Sequence, residues 1–122
     1  MFGLCRPRRH SLTTQTGNLL NLDQAVIPKI IHYCWLSQDP FPDDIRRCMN
    51  TWKEVMPDYK FVCWDTSKFD IQSNEFVSQA CSVKKWAFAA DYIRLYALFN
   101  HGGIYLDSDV IVKKRLDDFL TY

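Results

Sequence analysis

Three short runs rich in β-branched and aromatic residues, at positions 29–35, 59–64 and 104–107, are separated by stretches whose apolar residues recur every three or four positions. Runs of the first kind read as buried strands, and stretches of the second kind as amphipathic helices. A parallel strand is reached only through a crossover long enough to hold a helix, so a chain that alternates in this way builds a mainly parallel sheet with helices on its faces. The expected fold class is therefore α/β, a sandwich with a mainly parallel sheet whose first strand–helix–strand unit forms a right-handed crossover.

The helical stretches carry their own punctuation. From Asp43, residues Ile45, Cys48, Met49, Trp52, Val55 and Met56 fall on one face, Asp43 and Asp44 suit the positive end of the helix dipole, and Pro57 ends the run. A short helix is expected up to Ser82 behind a Ser73 or Asn74 cap. A longer one follows over residues 83–100, with Trp86, Ala89, Ala90, Ile93, Ala97 and Leu98 in helical step and His101-Gly102-Gly103 as its stop. Residues 110–112, Val-Ile-Val, read as a fourth strand or a continuation of the third. The aromatics Trp52, Trp64 and Trp86 read as core packing.

Composition limits the remaining choices. A chain of 122 residues with 48% hydrophobic content buries a single core and no more than one domain. The polar, Arg-rich residues 1–24 read as a disordered leader and residues 25–122 as the folded domain. A formal charge of +1 lacks the basic excess expected of a nucleic-acid binder. Five cysteines with no C-x-x-C pair argue against a disulfide framework or a structural zinc site, and point to a reducing, cytoplasmic compartment, with peripheral attachment to a membrane as the alternative. No window reaches the roughly 18–20 apolar residues of a membrane span, so no transmembrane segment is expected, and the basic first nine residues are not followed by the apolar stretch of a secretory signal.

In open α/β sheets, ligands bind outside the carboxyl ends of the strands, where Trp35 and the segment Asp107-Ser108-Asp109 fall. Two carboxylates directly after an apolar strand are either hydrated at a rim or paired with a cation, since burying them bare is costly. Hard oxygen donors of this kind suit Mg²⁺ or Mn²⁺ with coordination positions left for phosphate oxygens. Taken alone, an Asp-x-Asp is more often a solvated turn. Tyr105 shares a strand face with Asp107, and Asp91 and Arg94, three apart on the preceding helix, project to one side, a pattern that taken alone reads more readily as a plain surface ion pair than as a site. His32 reads more readily as a satisfied core histidine than as a ligand, and Lys84-Lys85 as a solvated helix face.

The strings IPKIIHYCW, WKEVMPDYKFVCWD and KKWAFAADYIRLYALFNHGGIYLDSDV together resemble the sugar-nucleotide-binding region of the glycosyltransferases of family 32, and at the same motifs the large clostridial glucosylating toxins. The resemblance runs from about Val26 to Leu120 and is most specific over D-Y-x-R-x-x-x-L-x-x-x-G-G-I-Y-L-D-x-D. It implies a GT-A fold and a retaining transfer from a nucleoside diphosphate sugar to a glycan or lipid-linked glycan acceptor, as in polysaccharide biosynthesis, with Mn²⁺ (or Mg²⁺) as cofactor. By resemblance, Trp35 stacks on the base with the backbone of Ile31 and His32 beside it, and Asp91 and Arg94 hold the ribose and sugar. Tyr105 and Asp107 lie near the ribose and the water shell of the metal, and Asp109 ligates it directly. Asp91, Arg94, Asp107 and Asp109 are thus the catalytic set and Asp107 and Asp109 the metal set.

The family's catalytic domain continues well beyond its D-x-D, and nothing after Val112 matches the later metal ligand or acceptor pocket. The chain is therefore expected to be a donor half, completed by a longer product, a second polypeptide or self-association. The alternatives are a donor-binding module without transfer activity and an inactive remnant.

Overall fold

A computed structural model describes residues 2–5 and 26–121. Strand β2, Ile30–Cys34, pairs in parallel with β3, Lys60–Trp64, on one side and with β4, Gly103–Leu106, on the other. Between β2 and β3 runs α1, Asp43–Val55; between β3 and β4 run a short turn of helix at Ile71–Ser73, then α2, Glu75–Ser82, and α3, Trp86–His101. The mainly parallel sheet flanked by helices is the α/β arrangement expected. β3 and β4 lie on opposite sides of β2, so crossovers of one hand carry their helices to opposite faces.

The side chains follow that division. Ile31, Ile104 and Leu106 point to the α1 face and meet Trp52 and Met56, whereas Cys34, Trp64 and Tyr105 point to the other face and meet Ile93, Ala97 and Leu98. Residues that are alternate along a strand thus sort into two cores, as the two-residue period of a strand requires. Each wholly buried Ile, Leu or Met contributes about 1.5–3 kcal/mol of burial free energy.

The local signals are used much as the sequence predicts. Asn74 caps α2 by accepting from the Val77 amide at 3.0 Å, and Asp43 and Asp44 occupy the first turn of α1. Helix α3 begins at Trp86 rather than at residue 83, because 83–85 close α2. Lys85 N–H bonds to the Ala80 carbonyl and Lys84 N–H to that of Cys81, with Lys84 left-handed at φ 57°. At the other end of α3, Gly102 and Gly103 take φ 66° and 96°. A Cβ on Gly103 would stand 2.7 Å from the Ile30 carbonyl oxygen, so that close approach of backbones needs glycine.

Two expectations are corrected. The disordered leader expected over residues 1–24 contains a strand, β1, Phe2–Cys5, which pairs antiparallel with β4 from Phe2 opposite Leu106 to Cys5 opposite Gly103. It covers an edge that would otherwise present unpaired backbone groups; residues 6–25 lie outside the described residues. Residues 110–112 form no strand. After Leu106 the chain turns, with Val110 N–H bonding to the Asp107 carbonyl at 3.1 Å, and leaves the sheet to lie against α1.

Beyond that turn, an exposed ion cluster fastens the chain. Arg115 reaches both carboxylate oxygens of Asp58 at 2.8 and 2.9 Å as well as Asp117, and Lys29 also pairs with Asp58. The hydrogen bonds from Arg115 and Lys29 hold the Asp58 carboxyl down at about 2. The far end is tied back to the start of the domain, where Ile27 N–H bonds to the Leu120 carbonyl.

Candidate functional site

The carboxyl ends of β2 and β4 meet where the chain reverses direction across the sheet, the position at which open α/β sheets hold ligands. A cavity of about 530 Å³ opens there, lined by Trp35 after β2, by Trp86, Ala90, Asp91 and Arg94 of α3, and by Tyr105, Asp107, Ser108 and Asp109 at the end of β4. Six of the expected site residues, Trp35, Asp91, Arg94, Tyr105, Asp107 and Asp109, thus share one cleft although they lie up to 74 positions apart. Ala87 and Ala90 leave the helix wall low, which gives the cleft its width.

Each wall is held by identifiable contacts. Trp35 donates its indole N–H to the Asp39 carbonyl at 2.9 Å and packs against Phe41 at 4.9 Å, so its ring is fixed at the rim. Arg94 donates to the Asp91 carboxylate at 2.5 Å, and its guanidinium lies 5.6 Å from the centre of the Tyr105 ring. The surface ion pair and the shared cleft wall are therefore the same object. Tyr105 is buried, and desolvation drives its phenol far up, helped by Cys34 and Asp107 and opposed by Arg94; it stays a neutral O–H. Burial likewise pushes the Cys34 thiol up to about 12, so it is no thiolate nucleophile.

Three carboxylates, those of Asp91, Asp107 and Asp109, stand against the single guanidinium of Arg94 around the cavity. A lining of that sign attracts a cation first and admits an anion once a cation is present. Asp107 and Asp109 stand together without a third His, Cys, Asp or Glu among the described residues. Two carboxylates suit Mg²⁺ or Mn²⁺, which complete their shells with water and phosphate oxygens, and not the closed four-ligand shell of a structural zinc site.

Ile31 and His32 stand apart from this cleft. Ile31 is wholly buried on the α1 face, and its backbone lies within the β2 ladder to β3 and β4. His32 is buried against the C-terminal end of α3. The Trp64 indole N–H donates to His32 Nδ1 at 3.0 Å, which leaves the proton on Nε2 to donate to the Gly102 carbonyl at 2.9 Å. Burial lowers its pKa, so the ring is neutral, as a satisfied core histidine should be. His101, the last residue of α3, lies 5.9 Å from the ring of His32.

Trp86, expected as core packing, is half-buried: it packs against the core on the α3 face and also forms the wall between the first cavity and a second of about 410 Å³. Its spacing to Ala90 and Arg94, four and eight residues on, is the signal that aligns it with the site. Lys84 lines the second cavity from the turn after α2, while Lys85 lies over the Phe88 ring.

The family described as the glycosyltransferase sugar-binding region containing the DXD motif matches residues 42–122. The chain is 34% identical over 102 residues to inositol phosphoceramide mannosyltransferase 3 of Schizosaccharomyces pombe, covering 80% of this chain and 28% of that protein. It is 28% identical to the initiation-specific alpha-1,6-mannosyltransferase of Candida albicans, covering 94% of this chain and 33% of the relative. The solved PaToxG glycosyltransferase superposes with a TM-score of 0.59 at 22% identity, over 81% of this chain and 48% of the other, a likeness of fold. The chain thus spans about a third of the length of these mannosyltransferases.

Proposed function

The chain belongs to the glycosyltransferase family whose sugar-binding region contains the DXD motif, and on that premise we propose that its cleft binds a nucleoside diphosphate sugar with a divalent cation, Mn²⁺ or Mg²⁺, and serves transfer of the sugar to a glycan or lipid-linked acceptor with retention of configuration. The observation that carries this reading is the gathering of Trp35, Asp91, Arg94, Tyr105, Asp107 and Asp109 around one cleft at the carboxyl ends of β2 and β4.

Asp107 and Asp109 would hold the cation. When bound, it acts as a Lewis acid that offsets the charge left on the diphosphate as the glycosidic bond breaks. Arg94, braced by Asp91 and the Tyr105 ring, presents its remaining N–H donors to sugar hydroxyls or phosphate oxygens. The Trp35 ring, already fixed by Asp39 and Phe41, offers a stacking face for the base. The neutral Tyr105 donates a hydrogen bond without adding charge. The mannosyltransferase relatives are about three times longer than the stretch they share with this chain, which supports an acceptor side supplied by polypeptide outside these 122 residues or by a second copy.

The test is calorimetric titration of UDP and of GDP into the chain with and without Mn²⁺, repeated with Asp109→Ala. Binding of one nucleotide that requires Mn²⁺ and disappears in the variant is expected. A folded chain that binds neither, or binds equally well without the metal, overturns the reading.

A further inference from the structure

Asp107, Ser108 and Asp109 lie beyond the last residue of β4, so no strand ladder holds the loop that carries the two carboxylates. Its own turn bond, Val110 N–H to the Asp107 carbonyl, is local. The long-range bonds that fix the chain immediately after Asp109 come from α1. Trp52 donates its indole N–H to the Val110 carbonyl at 2.7 Å, and Thr51 accepts from the Val112 N–H at 2.9 Å. Both partners are distant in sequence, 58 and 61 residues away.

The two anchors are themselves rigid. Trp52 is almost wholly buried and meets the Tyr33 ring edge-on at 5.4 Å, so its N–H has one direction available. The Thr51 hydroxyl spends its proton on the Cys48 carbonyl at 2.6 Å, which turns a lone pair toward Val112. The exit of the carboxylate loop is thereby tied to the backbone of a helix packed on the opposite face of the sheet from Asp91 and Arg94.

We infer that α1, through Trp52 and Thr51, sets the position of the Asp107 and Asp109 carboxylates, and that both are positioning residues for the cation those carboxylates take. This rests on the reading of the cleft as a metal-assisted donor site. Groups that orient metal ligands from behind typically change metal affinity about 10–100-fold when removed, and the same is expected here. Neither residue lines the cleft, so the effect is expected on the metal affinity through the loop.

Mn²⁺ binding to the 122-residue chain, read by electron paramagnetic resonance in the presence of pyrophosphate, tests the inference. Trp52→Phe keeps a ring in the core and deletes the donor; Thr51→Val keeps the shape and deletes the acceptor; Thr51→Ser restores the hydroxyl. About a tenfold or greater loss of Mn²⁺ affinity is expected for Trp52→Phe and Thr51→Val, with Thr51→Ser within about twofold of the parent. Met56→Ala, in the same core but bonded to no part of the loop, separates position from stability: it should lower the melting temperature and leave Mn²⁺ affinity unchanged. Wild-type affinity in folded Thr51→Val and Trp52→Phe, or an equal loss in Met56→Ala, overturns the positioning role alone. A parent chain whose Mn²⁺ binding is absent, or indifferent to Asp109→Asn, overturns the donor-site reading and this inference with it.

Discussion

Replacing His32 by Phe separates a structural histidine from a ligand-binding one. The variant keeps an aromatic ring of similar breadth in a buried position and removes both ring nitrogens. The Trp64 indole N–H and the Gly102 carbonyl then lose their partners. A buried polar group left unsatisfied costs about 1–3 kcal/mol, so the pair costs roughly 2–6 kcal/mol. That is a large share of the ~5–15 kcal/mol that stabilises a domain. Urea unfolding near pH 7, followed by tryptophan fluorescence, measures it.

Acid titration supplies a second readout of the same variant. Burial holds the His32 pKa below its ordinary 6.5 in the folded chain, so the unfolded chain binds the proton more readily. The histidine's contribution is fully present above about 6.5 and is lost as pH falls through the folded value, when a second ring N–H would face the Trp64 N–H. The parent should lose stability on acidification below about pH 6.5, and His32→Phe should lack that component. A stability change under about 1 kcal/mol with the acid dependence intact would refute the assigned hydrogen bonds. Loss of nucleotide binding by the folded variant would refute the separation of His32 from the cleft.

Other substitutions probe the backbone and the rim. Gly103→Ala forces a side chain onto φ 96° with its Cβ 2.7 Å from the Ile30 carbonyl oxygen; the left-handed cost and the overpacking together should destabilise by about 3 kcal/mol or more in denaturant unfolding. Lys84→Gly relieves the left-handed residue at φ 57° that closes α2, and should raise stability by about 0.5–1 kcal/mol with Mn²⁺-dependent nucleotide binding unchanged. Trp35→Ala should weaken nucleotide binding by about 1–3 kcal/mol, the worth of one base stacked on an aromatic ring, while Mn²⁺ affinity stays near that of the parent.

Much of the fold is legible along the chain. Helices α1 and α2 and strands β2, β3 and β4 lie close to where periodicity, caps and glycines predict them, because each signal is an interaction between residues two to four positions apart. Local chemistry also marks the strand ends: Asp107 and Asp109 follow an apolar strand, and Asp91 and Arg94 share one side of a helix. The departures are those in which a distant partner decides. β1 is an apolar tetrapeptide whose role depends on the free edge of β4. Val110-Ile111-Val112 has the β-branched character of a strand, but α1 takes its backbone groups before any strand can.

Trp86 and His32 carry the same lesson at the site. Trp86 is in helical register both with Ala89 and Ile93, which face the core, and with Ala90 and Arg94, which face the cleft; periodicity permits either side. His32 sits on a strand whose alternation permits either face, and its bonds to Trp64 and Gly102, 32 and 70 residues on, assign it to the core. The sequence by itself determined the types of element, their order and the acidic chemistry at the end of β4, since those depend on near neighbours. The tertiary structure decided which strand covers the β4 edge, which helix steadies the carboxylates and which aromatics line the cleft. Those outcomes are contacts across tens of residues, and no local period encodes them.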